Sequence, residues 1–250
     1  MRAYRALVRR ELGAYFLSWT GYVVIAAVLL LLGGSFAYLM TALNEEATDR
    51  PLTEVFYSTY LFWWILVLGA PVITMRAFAQ EKASGTFETL MTTPVSDAQV
   101  VLAKFTGALL FYMLTWLPLL PCLFVVHHYS GDKSLLDAGT IGATFLGIFL
   151  IGGVYVAIGC FASSLTRSHL VAVIIGIAAG YSFFLLSFES TMFASRAGWN
   201  TKFFYHFSMI EHMNDFAAGV VDSRPLVLCL SLTGLFLFLT LKVIESRRWK

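Results

Sequence analysis

The side chains of this sequence that are most capable of catalysis are a histidine and an aspartate with four residues between them. His127 and Asp132 bracket the run His-His-Tyr-Ser-Gly-Asp. A histidine oriented by a carboxylate can act as a general base, and this spacing occurs in enzymes that transfer acyl groups to glycerolipids. No phosphate-binding motif follows the pair, and a six-residue match is weak evidence. A lipid-modifying membrane enzyme therefore stays open as the less favoured interpretation.

A second set of side chains, outside the apolar runs, is of the type that binds copper. It comprises His127, His128, His206, Met209, His212 and Met213. The set lacks the tight ligand spacing that is typical of structural metal sites. We therefore favour interfacial side chains without metal, and expect the chain to hold no cofactor of its own.

Sequence features for nucleotide hydrolysis are also missing. A phosphate-binding loop has the form Gly-x-x-x-x-Gly-Lys-Ser/Thr, but residues 131–134, Gly-Asp-Lys-Ser, lack the upstream glycine. The three cysteines, at positions 122, 160 and 229, each fall inside an apolar run, as small hydrophobic residues do. If ATP drives this protein, ATP and magnesium must bind to a partner.

The composition indicates a protein that spans a membrane several times. Of the 250 residues, 58% are hydrophobic and 13% are charged, whereas a soluble domain has about 25% charged residues. Six apolar runs are long enough to cross a bilayer as helices. They are residues 19–43, 55–75, 105–126, 138–161, 170–188 and 226–243. We predict a single all-α polytopic domain, and the net charge of +2 gives no indication of a nucleic-acid partner.

The basic residues indicate the orientation. Of the 17 Lys and Arg residues, 12 fall at the termini, in residues 76–104 or in the short turn at 163–169, all on one side of the predicted membrane. Basic loops stay in the cytoplasm, so we expect cytoplasmic termini in an inner (plasma) membrane. Residues 2–17 are predicted to form an interfacial helix, with arginines near lipid phosphates and Tyr15, Phe16 and Leu17 toward the acyl chains.

The predicted cytoplasmic segment, residues 79–97, is the polar stretch of the chain that is richest in residues that start or stop helices. The helix of the second span is expected to run on through Phe78 and to break at Gly85, after Glu81 and Lys82. A short crosswise helix then starts near Thr86, has Glu88 in its first turn and stops at Pro94. Its apolar side chains recur at i, i+3 and i+4, at Phe87, Leu90 and Met91. A loop whose sequence specifies such a defined arrangement of helices indicates a docking surface.

Two further helix starts can be recognised from capping boxes. Ser96 with Gln99 starts the helix of the third span, and Ser208 with Glu211 starts a short helix before the last span. Residues 189–224 around the second start are rich in aromatic side chains, which favour a membrane interface. We predict one or two short outer helices there, ended by Gly219.

Residues 81–105, EKASGTFETLMTTPVSDAQVVLAKF, resemble the cytoplasmic coupling loop of ABC type-2 transporter permeases. The N-terminal VRRELGAYF resembles the connector helix of that family. Residues 207–250 are similar to the branch that holds the gliding-motility-associated and nitrous-oxide-reductase-maturation permeases, although Pro225 replaces an acidic residue common there.

The resemblance implies a permease subunit of an ATP-driven export complex. It would pair with a second copy or a related permease, and two separate ATPase subunits would dock on the short helix. The docking and coupling residues would be Glu81, Lys82, Gly85, Thr86, Phe87, Glu88, Leu90, Met91 and Pro94. A complex that transmits force or assembles an outer machine without moving a solute stays open as an alternative.

Overall fold

A computed structural model describes residues 2–45, 56–57, 60–86, 95–130, 138–192 and 207–246. All regular structure in these ranges is α-helical. The helices are α1 (Arg2–Phe16), α2 (Trp19–Glu45), α3 (Tyr60–Thr74), α4 (Ala79–Ser84), α5 (Asp97–Trp116), α6 (Leu119–Ser130), α7 (Ala138–Leu165), α8 (His169–Met192), α9 (Met209–Ala217) and α10 (Ser223–Ser246). Six stretches are long and apolar enough to cross a membrane, which confirms the predicted all-α polytopic class.

The helix starts predicted from the capping boxes are confirmed. Ser96 caps α5 and Ser208 caps α9, each accepting a hydrogen bond from the backbone N–H three residues later at 3.3 Å. After α9, Gly219 adopts a φ of 82°, and Val220 N–H donates to Asp215 O at 2.8 Å. This arrangement is a Schellman motif, which requires the left-handed conformation that glycine adopts without strain.

Helix α7 forms the centre of the bundle. In its most apolar stretch 78% of the residues are buried, against 22% in α2 and α8 and 17% in α10. Side chains of α3, α5, α8, α9 and α10 all pack against it. The outer helices leave large apolar side chains exposed, among them Tyr22, Leu30, Ile174 and Leu230. Exposed apolar faces on helices of this length are what a lipid environment requires.

Glycines in α7 and α8 allow neighbouring helices to approach closely. A Cβ on Gly159 would lie 2.0 Å from Thr74 Oγ1 and 3.4 Å from Pro71 Cα, both on α3. In α8, a Cβ on Gly176 would lie 3.0 Å from Pro71 Cβ, and one on Gly180 would lie 3.0 Å from the Tyr155 ring. Gly176 and Gly180 form a small-xxx-small pair, which therefore serves packing within the chain.

We expect Gly159→Ala to destabilise the bundle by about 1–3 kcal/mol, because the added methyl group overlaps Thr74 on the facing helix. Gly142→Ala on the same helix is the matched control, since no atom lies within 4 Å of the Cβ position there. The control should be neutral or slightly stabilising, because alanine is the better helix former. Chemical denaturation in mixed micelles, followed by circular dichroism, measures both. Equal stability of the two variants would contradict this packing.

Two of the membrane-crossing stretches are interrupted, which the apolar runs did not predict. The helix of the second span was expected to continue through Phe78, but α3 ends at Thr74 and α4 begins at Ala79. The third stretch divides between α5 and α6 beside Pro118. Proline lacks the N–H that a continuous helix needs and clashes with the preceding turn. The break after Thr74 has a different cause, which lies on α7.

Candidate functional site

A serine of α7 interrupts the helix between α3 and α4. Ser163 Oγ accepts hydrogen bonds from the backbone N–H groups of Phe78 and Ala79, and donates to Met75 O, all at 3.1 Å. In a continuous helix those two N–H groups would bond to the carbonyls of Thr74 and Met75. A side chain inserted into the hydrogen-bond ladder is a recognised cause of kinks. The junction at residues 75–78 is therefore fixed to the central helix.

Lys82 ties α4 to the same end of α7. Its side chain is only 7% exposed, and Nζ donates to the carbonyl oxygen of Ser164. That carbonyl is near the C-terminus of α7, where the helix dipole favours a cation. The short helix is thus anchored to α7 through its first residues by Ser163 and through its last turn by Lys82.

Four charged side chains from three helices meet beside α4; we call them the charge cluster. They are Arg10 and Glu11 of α1, Glu81 of α4 and Lys104 of α5. Lys104 Nζ lies 2.8 Å from Glu81 Oε1 and 3.2 Å from Glu11 Oε1. Arg10 Nη2 lies 2.7 Å from Glu11 Oε1 and 3.2 Å from Glu81 Oε1. Each cation therefore contacts both carboxylates, and the formal charges cancel.

The two cations differ in their exposure to solvent. The Lys104 side chain is 3% exposed and lies 5.5 Å from the centre of the Phe78 ring, whereas Arg10 is 51% exposed. Desolvation opposes the charged form of Arg10, but the hydrogen bond to Glu11 and the charges of Glu11 and Glu81 raise its pKa above the usual value. A buried lysine needs its carboxylate partners far more than an exposed arginine does.

Helix α1 packs along α5 and contacts the end of α3. The hydroxyls of Tyr4 and Thr106 are 2.7 Å apart, and the rings of Tyr15 and Phe111 stack with centroids 4.6 Å apart. Tyr15 also donates to Ile73 O at 3.2 Å. The sequence predicts Tyr15 toward lipid, and that prediction is wrong for this residue because its ring and hydroxyl face the bundle. Leu17 is 90% exposed, consistent with a lipid-facing position.

The predicted docking residues divide into three groups. Glu81 and Lys82 point into the bundle, toward α1, α5 and α7. Gly85 ends α4 with a φ of 71°, and the hydroxyl of Ser84 lies 2.8 Å from that of the exposed Thr86. The other five lie outside the described residues. They are Phe87, Glu88, Leu90, Met91 and Pro94.

The residues considered for acyl transfer and copper binding do not form a site in the described ranges. His206 and Asp132 lie outside those ranges, and nothing is described of the His127 and His128 side chains. His212 of α9 is buried. Within the described residues, no group of three or more His, Cys, Asp or Glu side chains is placed to hold a metal ion.

Helix α9, which carries three of the copper candidates, is held by packing and by capping. Met209 and Met213 are fully buried in the apolar core, and Met209 N–H donates to Ser187 Oγ of α8 at 2.8 Å. Burial in the core is the usual role of methionine.

Sequence reasoning missed Ser163, Arg10 and Glu11 as parts of the site. Ser163 gives almost no signal in a sequence, because serines near a helix end are common. Glu11 carried a better signal, as the only acidic residue in the first 44 positions of the chain. Acidic residues are rarely buried unless they are paired, so a buried position for Glu11 would require a cationic partner.

A family model described as "ABC-2 family transporter protein" matches residues 21–218, which is most of the chain. No curated protein sequence matches closely enough to count as a relative. The matched range contains four of the six candidate spans and nearly all of the first one, together with α4 and two members of the charge cluster, Glu81 and Lys104. The chain belongs to the ABC-2 transporter family, as a multi-pass membrane component.

Proposed function

We propose that this chain is the permease subunit of an ATP-driven exporter, and that α4 transmits the motion of a docked ATPase to the spans. The observation that carries the proposal is the double attachment of α4. Lys82 joins it to α7, and Glu81 joins it to α1 and α5. These attachments give α4 a direct path to three helices of the bundle.

The position of α4 supports transmission. It stands between residues 87–94, where the sequence predicts the docking helix, and the junction at residues 75–78, where α3 meets Ser163. A displacement at residue 86 would act on α1 and α5 through salt bridges and on α7 through hydrogen bonds. Glu81 and Lys82 would then transmit force rather than touch the ATPase.

The positions of the basic residues indicate which end of the bundle faces the cytoplasm. Arg10, Arg76, Lys82 and Lys104 lie at one end of the bundle, which we call the basic end and assign to the cytoplasm of an inner membrane. Two ATPase subunits, which bind ATP and magnesium, would dock there. A second copy of this chain or a related permease would complete the complex, and the exposed apolar faces of α2 and α8 are the surfaces we assign to that contact.

The test is affinity capture of the tagged chain in mild detergent with residues 87–94 replaced by a Gly/Ser linker of equal length. This change leaves Glu81, Lys82 and the Ser96 cap intact, so the bundle itself should fold. Replacement of residues 46–53, on the opposite side of the membrane, is the matched control. The wild type and the control should capture a stoichiometric ATPase subunit, and the 87–94 variant should not.

A single substitution sharpens this test. Leu90→Asp should remove the ATPase and its activity from the eluate while the thermal unfolding of the chain stays unchanged, because a carboxylate cannot enter an apolar groove without a large desolvation cost. Normal capture by both variants would contradict docking at residues 87–94. Capture of the chain alone, without any ATPase from the wild type, would contradict the permease function.

The likeness of residues 207–250 to the gliding-motility branch allows a variant of this function, in which the complex moves an outer machine instead of a solute. Both versions need the same docking and the same transmission through α4. Reconstitution of the captured complex in vesicles distinguishes them, since an exporter should have its ATP hydrolysis stimulated by the solute or lipid that it moves.

A further inference from the structure

A cleft of about 160 Å³, with both polar and apolar residues in its lining, lies at the basic end, between the α1–α2 corner and the end of α3. Glu11 is the one member of the charge cluster that also lines this cleft. Its polar lining comes from Ser18, Thr20, Arg76 and Gln80, with Gly21 at the corner. A Cβ on Gly21 would lie 2.0 Å from Tyr15 O, so the tight corner that shapes the cleft depends on this glycine.

Arg76 is the cation of this cleft, and its hydrogen bonding is incomplete. Nη1 donates to Ser18 Oγ at 3.2 Å and to Thr20 Oγ1 at 2.8 Å. Nε is buried and has no hydrogen-bond partner, and Arg76 has no ion pair within the described part of the chain. When a buried N–H donor of a charged group has no hydrogen-bond partner, the folded state loses stability. The guanidinium is therefore held in place by two hydroxyls with donor capacity remaining.

Glu11, the acidic residue that lines the cleft, does not form an ion pair with Arg76. Glu11 Oε1 is shared between Arg10 and Lys104, at 2.7 and 3.2 Å. The first turn of α2, a helix of 27 residues, borders the cleft through Thr20 and Gly21. The N–H groups of these two residues bond to Ser18, but the dipole at a helix N-terminus still adds to the attraction for an anion. The cleft combines a fixed guanidinium with the positive end of a long helix.

The surroundings of the cleft indicate which anion it meets. Leu17 and Trp19, at the same corner, are 90% and 89% exposed, and the neighbouring Tyr22 is also exposed. Tryptophan and tyrosine side chains collect at the level of lipid headgroups. An apolar rim with an arginine behind it matches a molecule that has acyl chains and a phosphate, and guanidinium groups bind phosphate oxygens in pairs.

We propose that this cleft binds the headgroup phosphate of a phospholipid, with Arg76 as the main ligand and the exposed Leu17 and Trp19 beside the acyl chains. The bound lipid would fill the corner between α1 and α2 and accept hydrogen bonds from the accessible part of the Arg76 guanidinium. This inference needs only that the chain lies in a membrane, and holds whether or not an ATPase docks.

Native mass spectrometry of the full-length chain tests the proposal. The protein, stripped of lipid in detergent, is titrated with dioleoyl-phosphatidylglycerol, with dioleoylglycerol, which lacks the phosphate, and with inorganic phosphate. We expect the phospholipid to bind at least about tenfold more tightly than the other two, since both the phosphate and the acyl chains contribute. This comparison uses the wild type and does not depend on the folding of any variant.

Variants then test whether Arg76 binds the phospholipid. Arg76→Gln should weaken phosphatidylglycerol binding about tenfold, and Arg76→Lys should have a smaller effect because it keeps the charge without the paired donors. Arg167→Gln removes the same charge from an exposed position at the same end and should leave binding unchanged. Equal weakening by Arg76→Gln and Arg167→Gln would overturn the site. If dioleoylglycerol bound as tightly as the phospholipid, the phosphate would have no role in binding. If inorganic phosphate bound as tightly, the acyl chains would have no role, and the ligand would not be a lipid.

Discussion

Lys104→Met should lower the free energy of unfolding by about 2–4 kcal/mol. The substitution removes the one nearly buried cation of the charge cluster, and leaves Glu11 and Glu81 with Arg10 alone. Breaking a buried ion pair by removing one partner costs about 3–5 kcal/mol, because the remaining charge stays desolvated. We take a somewhat lower value since both carboxylates keep some contact with solvent. Denaturation of the purified chain in mixed micelles measures the change.

Lys242→Met is the matched control, because the same substitution there breaks an exposed ion pair with Glu245. Exposed pairs contribute about 0–1 kcal/mol, so the control should unfold almost as the wild type does. The double variant Lys104→Met with Glu81→Gln should be more stable than Lys104→Met alone, since it removes one of the stranded carboxylates. A similar loss in the two single variants would show that burial of Lys104 does not determine its contribution.

The elements that the sequence predicted correctly are those whose causes are local or set by the bilayer. A run of about 20 apolar residues has one stable form in lipid, so the six spans could be counted from hydropathy. Ser96 and Ser208 act on backbone groups three residues away, and these caps could be identified without tertiary information. The left-handed Gly85 and Gly219 follow from the same local reasoning.

The site depended on contacts between distant parts of the chain. Ser163 lies 85 residues after Phe78, and no periodicity indicates that its hydroxyl enters the α3–α4 junction. Glu81 and Lys82 are polar residues in a polar segment, which made an outward, partner-facing role the natural expectation. Their direction was decided by Lys104 on α5 and by the end of α7, which offer a buried cation and a carbonyl oxygen. Pattern alone cannot show which charged residue of a segment has its partner within the chain.

Glu81→Ala should separate ATPase binding from transmission in the assembled complex. The proposed docking residues, 87–94, are untouched, so the variant should capture the ATPase as the wild type does. However, α4 would lose its contacts with Arg10 and Lys104, and thus its links to α1 and α5, while Lys82 still joins it to α7. We expect the ATP-dependent movement of α1 to disappear and coupled turnover to fall about tenfold, which corresponds to an activation barrier about 1.4 kcal/mol higher.

Spin labels at Arg5 on α1 and Leu170 on α8, both exposed, measure that movement as a change in distance when ATP is added. Glu245→Ala, which breaks the exposed pair with Lys242, is the matched control and should keep the full change. Loss of capture in Glu81→Ala would mean that Glu81 supports docking itself. An unchanged distance response would mean that motion reaches the spans through Lys82 and Ser163 alone, and α7 rather than α1 would then be the element that the ATPase drives.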